Sequence, residues 1–362
     1  MRKDKKGFRP EIFFGTPIFS NNPRSIFRAP LGQKELYLQV REKTQDFREI
    51  TKKLAEEYGI ILLALACMGI KAKIIVAHEK MIEPNIKHAL EKFSKELGHT
   101  LVKFPNIDLA VLTYPRDLAT ALPNGTVLIN PDIHLTNRSI KEAKKANVIP
   151  SPYGEGGRIL IKKSVALVNE RLFMGKSLEE FEQEPPIELL KKAGLAVGLL
   201  PVVAAVISSG VSYGQTVWTY EPEDHIDRIS GLLVGKDQKL HLVTATKIYG
   251  GFKTPKELVT GPAFSSEATL SRYQQVCDIL GIKLHAVSKI SVPCSTGFIQ
   301  FADGRVLLTS GDDEVAEVVR DIIGREKVFL TETPIEFYPA QAKASIRCLI
   351  GEFPAFLPEL LR

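Results

Sequence analysis

Cysteine is scarce in this chain, with four residues among 362 (Cys67, Cys277, Cys294 and Cys348). They form no Cys-x-x-Cys pair and have no zinc-type spacing with the seven histidines, so no zinc site is predicted. Cys67 lies in an apolar run and Cys277 in a predicted helix, so we expect both to be buried core thiols. This cysteine usage favours a reducing, cytoplasmic location.

A strong net charge is also absent, because 48 Lys and Arg residues face 42 Asp and Glu residues. The basic residues are dispersed, except for a short leader made of Arg2, Lys3, Lys5, Lys6 and Arg9. Nucleic-acid binding would require a basic stripe with interleaved aromatics, so no nucleic-acid partner is expected. The leader runs into polar residues and proline rather than an apolar stretch, so no signal peptide is predicted.

Charged residues are missing altogether from Ala193 to Tyr220. The part from Leu195 to Ile207 is almost wholly apolar, which raises the question of a membrane span. Pro201 and the polar residues after Ile207 favour a buried helix, a loop and then a strand, within the fold or at a homo-oligomer interface. We therefore expect no membrane partner, and we predict a helical and apolar insertion around residues 170–220.

Four short motifs are present in a fixed order: Tyr-Pro-Arg-Asp at 114–117, Gly-Glu-Gly-Gly at 154–157, His-Ile-Asp at 225–227 and Arg-Cys at 347–348. Together they supply two aspartates, a glutamate, a histidine and a late cysteine. These are the side chains needed to hold a guanidinium group and attack its carbon. The motifs therefore indicate chemistry on arginine-like groups.

The motifs are also accompanied by a repeating pattern of strand, tight turn and strand. Its clearest instance is 297–309, where two apolar runs are joined by Ala-Asp-Gly, a hairpin signal. Such repetition predicts structural repeats around a common axis, with the active residues at equivalent points near it.

Helical spacing predicts helices over 42–58, 85–97, 137–146, 187–193, 266–280 and 313–323, and apolar runs predict strands at 72–77 and 107–114. Residues 1–30 are predicted to form an irregular basic segment. No Pro/Gly/Ser linker divides the remainder, so residues 31–362 are predicted to be one domain.

The order Asp, Glu-Gly-Gly, His-x-Asp and a late Cys resembles the guanidine-modifying, or pentein, superfamily, over residues 100–362. That superfamily includes arginine, agmatine and protein-arginine deiminases, dimethylarginine dimethylaminohydrolases and amidinotransferases. The resemblance implies an α/β fold, a five-bladed propeller of ββαβ units around a pseudo-fivefold axis. It implies no metal and no organic cofactor.

The resemblance assigns three catalytic roles. Cys348 would be the nucleophile, with Arg347, Lys343 or the bound guanidinium lowering the pKa of its thiol. His225 would be the general acid and base, and Glu155 a third carboxylate. The residues alone leave other roles open, such as a core thiol for Cys348 and turn residues for the other two.

Two aspartates, together with Lys343 and Arg347, would bind the substrate in this scheme. Asp117 and Asp227 would accept in-plane hydrogen bonds from the guanidinium, although an ion pair with Arg116 or a helix cap is also open for Asp117. If the His-Ile-Asp motif lies in a strand, His225 and Asp227 face the same side.

The sequence departs from the superfamily pattern at three places. Arg158 follows the Glu-Gly-Gly motif where many relatives have Asp, and Ala344 and Ser345 precede the cysteine where relatives often have glycines. Lys343 stands where arginine deiminases tend to carry a carboxylate-binding arginine. The expected substrate is a small guanidino molecule or peptidyl arginine, and it need not be free arginine.

The sequence thus predicts a cytoplasmic, cofactor-independent hydrolase, a deiminase acting on arginine or a derivative. An amidinotransferase, which passes the same intermediate to an amine, is an alternative, and so is a non-catalytic binding protein of the same fold. Cys294 is a second candidate thiol, for which a structural role is favoured.

Overall fold

The computed structural model describes most of the chain in separate stretches. These are residues 11–15, 47–76, 84–103, 115–131, 142–170, 185–201, 203–212, 215–223, 225–245, 247–253, 258–262, 267–287, 296–309, 313–331 and 346–357.

These stretches contain both helices and strands, and several strands follow one another without an α-helix between them. The helices are α1 (Phe47–Cys67), α2 (Pro84–Leu97), α3 (Pro185–Lys192), α4 (Glu267–Leu280), α5 (Asp313–Ile323) and α6 (Ile346–Leu349). The strands are β1 (Glu11–Phe14), β2 (Ala72–Val76), β3 (Thr100–Lys103), β4 (Ala119–Ala121), β5 (Val127–Ile129), β6 (Val148–Pro150), β7 (Ile159–Lys162), β8 (Val165–Asn169), β9 (Ala196–Leu200), β10 (Val203–Ser212), β11 (Gln215–Glu223), β12 (Ser230–Val234), β13 (Leu240–Ala245), β14 (Lys247–Lys253), β15 (Leu258–Pro262), β16 (Ile282–Val287), β17 (Ile299–Gln300), β18 (Val306–Thr309), β19 (Val328–Thr331) and β20 (Ile350–Phe353).

Five sheets repeat one arrangement, in which a first strand is antiparallel to a second and the second is parallel to a third. They are β4-β5-β6, β7-β8-β9, β12-β13-β16, β17-β18-β19 and β20-β1-β2, the last extended by β3. Helical residues precede the third strand in each: 142–145, α3, α4, α5 and α1. The hairpins β10-β11 and β14-β15 form two further sheets.

Tight turns close the antiparallel pairs because residues with positive φ occupy them. Gly304 has φ 85° between β17 and β18, where the Asp303 carboxylate also accepts a hydrogen bond from the Arg305 backbone N–H at 3.0 Å. The hairpin predicted over 297–309 is therefore confirmed.

The first and last strands of the described chain share a sheet. β1 pairs with β20, and the buried Phe13 ring stacks on Phe353 with centroids 4.3 Å apart. The prediction of an irregular segment over 1–30 is thus wrong for residues 11–14, since burial of their apolar side chains favours a core strand.

The first strands of the five sheets, β4, β7, β12, β17 and β20, all line one cavity of about 260 Å³. We call it the basic cavity, for the cations Arg116, Lys162, Lys163 and Arg347 in its lining. Because four of the five first strands, β4, β7, β12 and β20, follow a motif segment, the cavity lies beside the candidate site.

Several predicted elements are confirmed, including α5 with its predicted bounds, α2, α3, α4 and β2. The predicted helix 42–58 is described from Phe47, and α1 continues to Cys67 because the apolar stretch extends its buried face. Cys67, at the end of that helix, is exposed, so its prediction as a core thiol is wrong, while Cys277 is buried as predicted. Of the helix predicted over 137–146, the described part is helical at 142–145.

The uncharged stretch 193–220 does not contain the predicted buried helix. It forms β9, β10 and most of β11, and β9 completes the sheet β7-β8-β9. Its β-branched residues favour strands, and its glycines are unfavourable inside a helix. Among the described helices, none has the length and apolar content needed to cross a membrane. The predicted strand at 107–114 lies outside the described residues, and the single-domain assignment stays a prediction.

Candidate active site

Short helical segments placed just before the first strands carry the motif residues. Pro115–Asp117 precedes β4, Gly156–Arg158 precedes β7, Ile226–Arg228 precedes β12 and α6 precedes β20. The segment 115–117 contacts both 156–158 and α6, and 156–158 contacts 226–228. Residues more than 200 positions apart in sequence are therefore brought together.

Asp117, Glu155 and His225 form the centre of the site, with their polar atoms within 4.8 Å of one another. The His225 Nε2 atom lies 2.6 Å from Glu155 Oε1. The other Glu155 oxygen, Oε2, accepts an ion pair from Arg158 at 3.0 Å. Glu155 thus bridges a histidine and an arginine, an arrangement that fixes the orientation of the imidazole.

Asp117 has a strongly perturbed carboxyl group. Its pKa is raised to about 7, first by burial and then by the negative charges of Glu155 and Asp227, against the lowering effects of His225 and Arg116. Its buried Oδ1 atom has no hydrogen-bond partner among the described residues. A cation entering the site would supply the missing partner and favour the ionised carboxylate.

The two adjacent glycines of the Gly-Glu-Gly-Gly motif make room for protein side chains. A Cβ atom at Gly157 would lie less than 3.0 Å from the His225 ring, and one at Gly156 less than 3.0 Å from the Arg116 side chain. Glycine has no Cβ atom, so neighbouring groups can approach its backbone closely. In the structure these glycines admit the imidazole and the guanidinium of neighbouring segments.

His225 and Asp227 reach the site by a different backbone path from the predicted one. His225 caps the 3-10 helix Ile226–Arg228, so the motif does not lie in a strand, and Asp227 is fully buried within it. Both charges still act on Asp117. Both residues thus lie near Asp117, but the predicted reason, alternation of side chains along a strand, is wrong.

Cys348 lies in α6, which contacts the segment that carries Asp117. The structure describes the backbone of Cys348 but not its side chain. The described residues do not include Cys294, Lys343, Ala344 or Ser345. The catalytic and substrate-binding roles of all these residues stay predictions.

Arg347 is nearly buried and lines the basic cavity, where its side chain donates to the Ile159 carbonyl oxygen at 2.9 Å. Sequence reasoning missed two neighbours of the site. Arg116 was considered only as a partner of Asp117, and Lys162, which ends the apolar strand β7, was not singled out. The change from apolar residues to lysine at a strand end was the available signal.

Asp117, Glu155 and His225 also have the spacing of metal ligands. Two carboxylates and an imidazole are a common donor set for a divalent cation. A metal and a guanidinium would therefore compete for the same space.

The fold is a mixed α/β fold, and comparisons with known proteins assign it to a structural class. The chain is similar to an agmatine deiminase from C. jejuni, with a TM-score of 0.50 and 13% identity over 85% of this chain and 89% of that one. This similarity shows a shared mixed α/β fold.

Other solved structures match less well. They include a dimethylarginine dimethylaminohydrolase from Pseudomonas aeruginosa (TM-score 0.38, 12% identity, 75% of this chain and 91% of that one). Another is an inosamine-phosphate amidinotransferase from Streptomyces griseus (TM-score 0.41, 10% identity, 96% and 94%). No protein-family model and no curated protein matches the chain.

Proposed function

We propose that this protein is an enzyme that modifies a guanidino group, and that it acts as a deiminase on arginine or an arginine derivative. The observation that carries the proposal is the convergence of Asp117, Glu155, His225 and Asp227, three carboxylates and an imidazole from separate segments. The buried Oδ1 atom of Asp117 has no hydrogen-bond partner among the described residues, so a cation with N–H donors would be stabilised there. A guanidinium matches the cluster in charge and in hydrogen-bond donors.

The proposed scaffold is a five-bladed α/β propeller. Its support is the shared strand order of five sheets and the contribution of each first strand to one cavity. In such an arrangement the segments before the first strands meet at one end of the axis. That explains why motifs from separate sheets share a site.

Asp117 and Asp227 would bind the guanidinium edge-on and present its carbon to the nucleophile. The charge of the substrate would lower the pKa of Asp117, which is raised to about 7 in the protein alone. Substrate binding and ionisation of Asp117 are therefore coupled. Arg158 pairs with Glu155, so its guanidinium lies beside the site. A cationic substrate must bind next to this positive charge.

In the proposed reaction the Cys348 thiolate attacks the guanidinium carbon and forms a C–S bond. Collapse of the tetrahedral adduct breaks a C–N bond, and His225 protonates the departing amine. His225 then takes a proton from water, whose oxygen attacks the thiouronium carbon. Cleavage of the C–S bond releases a ureido product and restores the thiolate.

The test is colorimetric detection of ureido product and ammonia with arginine, agmatine, dimethylarginine and an arginine peptide as substrates. We expect product from at least one of them, loss of product in Cys348→Ala and unchanged activity in Cys67→Ala, whose cysteine is exposed at the end of α1. Product formation that persists in Cys348→Ala would refute the covalent mechanism.

Two further experiments distinguish the deiminase from a metal site and from an amidinotransferase. Activity that EDTA leaves intact agrees with guanidinium binding, whereas activity lost to EDTA and restored by a divalent cation would assign the cluster to a metal. Transfer to added ornithine, lysine or glycine, without ureido product, would indicate an amidinotransferase. Failure of both reactions would favour a binding protein.

A further inference from the structure

The basic cavity carries more positive than negative charge. Its lining contains Arg116, Lys162, Lys163 and Arg347 but only one carboxylate, Glu352, among the described residues. A second cavity of about 400 Å³ shares Lys162 and Lys163 with it. That cavity adds Lys236 and Lys327, and its one described carboxylate, Asp303, already accepts a hydrogen bond from the Arg305 Nε atom at 2.8 Å.

Two of these cations, Arg116 and Lys162, form no close ion pair with a carboxylate among the described residues. Arg116 is only 9% exposed, and its Nε atom has no hydrogen-bond partner among the described residues. The Lys162 Nζ atom donates to the Gln300 carbonyl oxygen at 2.7 Å, and within the described part of the chain it forms no ion pair. Since burying unpaired charge is unfavourable, these groups indicate a missing anion.

The electrostatics of Lys162 agree with this geometry. Its pKa is lowered to about 8, first by burial, with the positive charges of Arg347 and Arg116 adding to the effect and Glu352 opposing it. The cations thus repel one another more than Glu352 compensates. An anion placed among them would relieve that repulsion.

We propose that the basic cavity binds a phosphate group, either free or carried by a small phosphorylated molecule, through Arg116, Lys162 and Arg347. Guanidinium groups match phosphate oxygens in geometry, and lysine adds a point charge. A volume of about 260 Å³ admits phosphate, and the adjoining cavity, with Lys236 and Lys327, extends the positive lining for a longer ligand. This proposal does not depend on the reaction proposed above.

The experiment is isothermal titration calorimetry of the full chain with inorganic phosphate, pyrophosphate and ATP at constant ionic strength. Lys162→Met removes one buried cation and keeps the side-chain length, so we expect phosphate binding to weaken about tenfold or more. Lys162→Arg should retain most of the affinity. Lys191→Met, on the exposed face of α3, is the matched control and should bind as the unaltered protein does.

The three probes separate the sources of the phosphate group. Equal affinities for phosphate, pyrophosphate and ATP support free phosphate as the ligand. Tighter binding of pyrophosphate or ATP, if Lys236→Met weakens it, supports a phosphorylated molecule that reaches the second cavity. No binding of any probe, binding unaffected by Lys162→Met, or equal displacement by chloride would overturn the proposal.

Discussion

The acidic site and the basic cavity meet at two consecutive residues, since Asp117 belongs to the first and Arg116 to the second. In the acidic site, the charged groups come from the short segments before the first strands. In the basic cavity, the charged group of Lys162 comes from a first strand. That of Arg116 comes from the same short segment as Asp117. The repeated strand arrangement thus supplies two regions of opposite charge, which adjoin at Arg116 and Asp117.

Burial acts on the two regions in opposite directions. It raises the pKa of Asp117 to about 7 and lowers that of Lys162 to about 8, so each group is driven toward its neutral form. Each would regain its charge on binding a ligand of the opposite sign. The comparison therefore predicts a cation for one region and an anion for the other.

The largest effect should come from Asp117→Asn, which removes one of the three carboxylates of the acidic site while keeping the shape of the side chain. We expect kcat/KM to fall by about 10³-fold, because a buried substrate cation loses an ionised partner. The free energy of unfolding, measured with urea, should not decrease, since an unpaired buried carboxyl group is removed. Asp321→Asn, on the exposed face of α5, is the control, and an equal loss of activity there would discredit the assignment.

Gly157→Ala tests whether the acidic site depends on the close approach of His225. The added methyl group overlaps the imidazole and should break its 2.6 Å contact with Glu155, lowering kcat about 10²-fold. Gly194→Asn provides a comparison, because Gly194 has φ 82° and no atoms crowd its Cβ position. Full activity of Gly157→Ala would show that the imidazole orientation is not needed.

Arg116→Gln tests the electrostatic link between the two regions. The positive charge of Arg116 lowers the pKa of Asp117, so its removal should move the acidic limb of the kcat/KM profile to higher pH, by under about one unit. Arg116→Lys should restore the original limb. An unchanged pH profile in Arg116→Gln would mean that the two regions are electrostatically independent.

The smallest effect concerns stability as a function of pH. Folded Asp117 binds a proton up to about pH 7, against an ordinary pKa of 3.8, so its contribution to stability is lost as pH rises through that interval. Folded Lys162 loses its proton near pH 8, against an ordinary value of 10.5, so stability rises from there toward pH 10.5. These two groups together predict a minimum between about pH 7 and 8.

Urea unfolding across this range checks the minimum. Asp117→Asn should flatten the acid side and Lys162→Met the alkaline side. If either variant leaves its side of the profile unchanged, the corresponding pKa assignment is wrong.

Local signals in the sequence predicted much of the secondary structure. The Asp-Gly turn at 303–304 and the apolar spacing of 313–323 were sufficient for a hairpin and for α5, because both patterns depend on neighbouring residues. Local signals failed for β1, whose partner β20 lies more than 300 residues away. They also failed for the strands in 193–220, where apolar content alone does not separate helix from strand.

The sequence by itself determined which chemical groups are present and in what order. That order was sufficient to predict a mixed α/β fold and to single out Asp117, Glu155, His225 and Asp227, which the structure brings together. Only the tertiary structure decided that Glu155 bridges His225 and Arg158, that two motif glycines accommodate His225 and Arg116, and that cations share a cavity on five first strands. Distances between remote segments, and the burial that sets their pKa values, arise from packing and are not encoded in any local pattern.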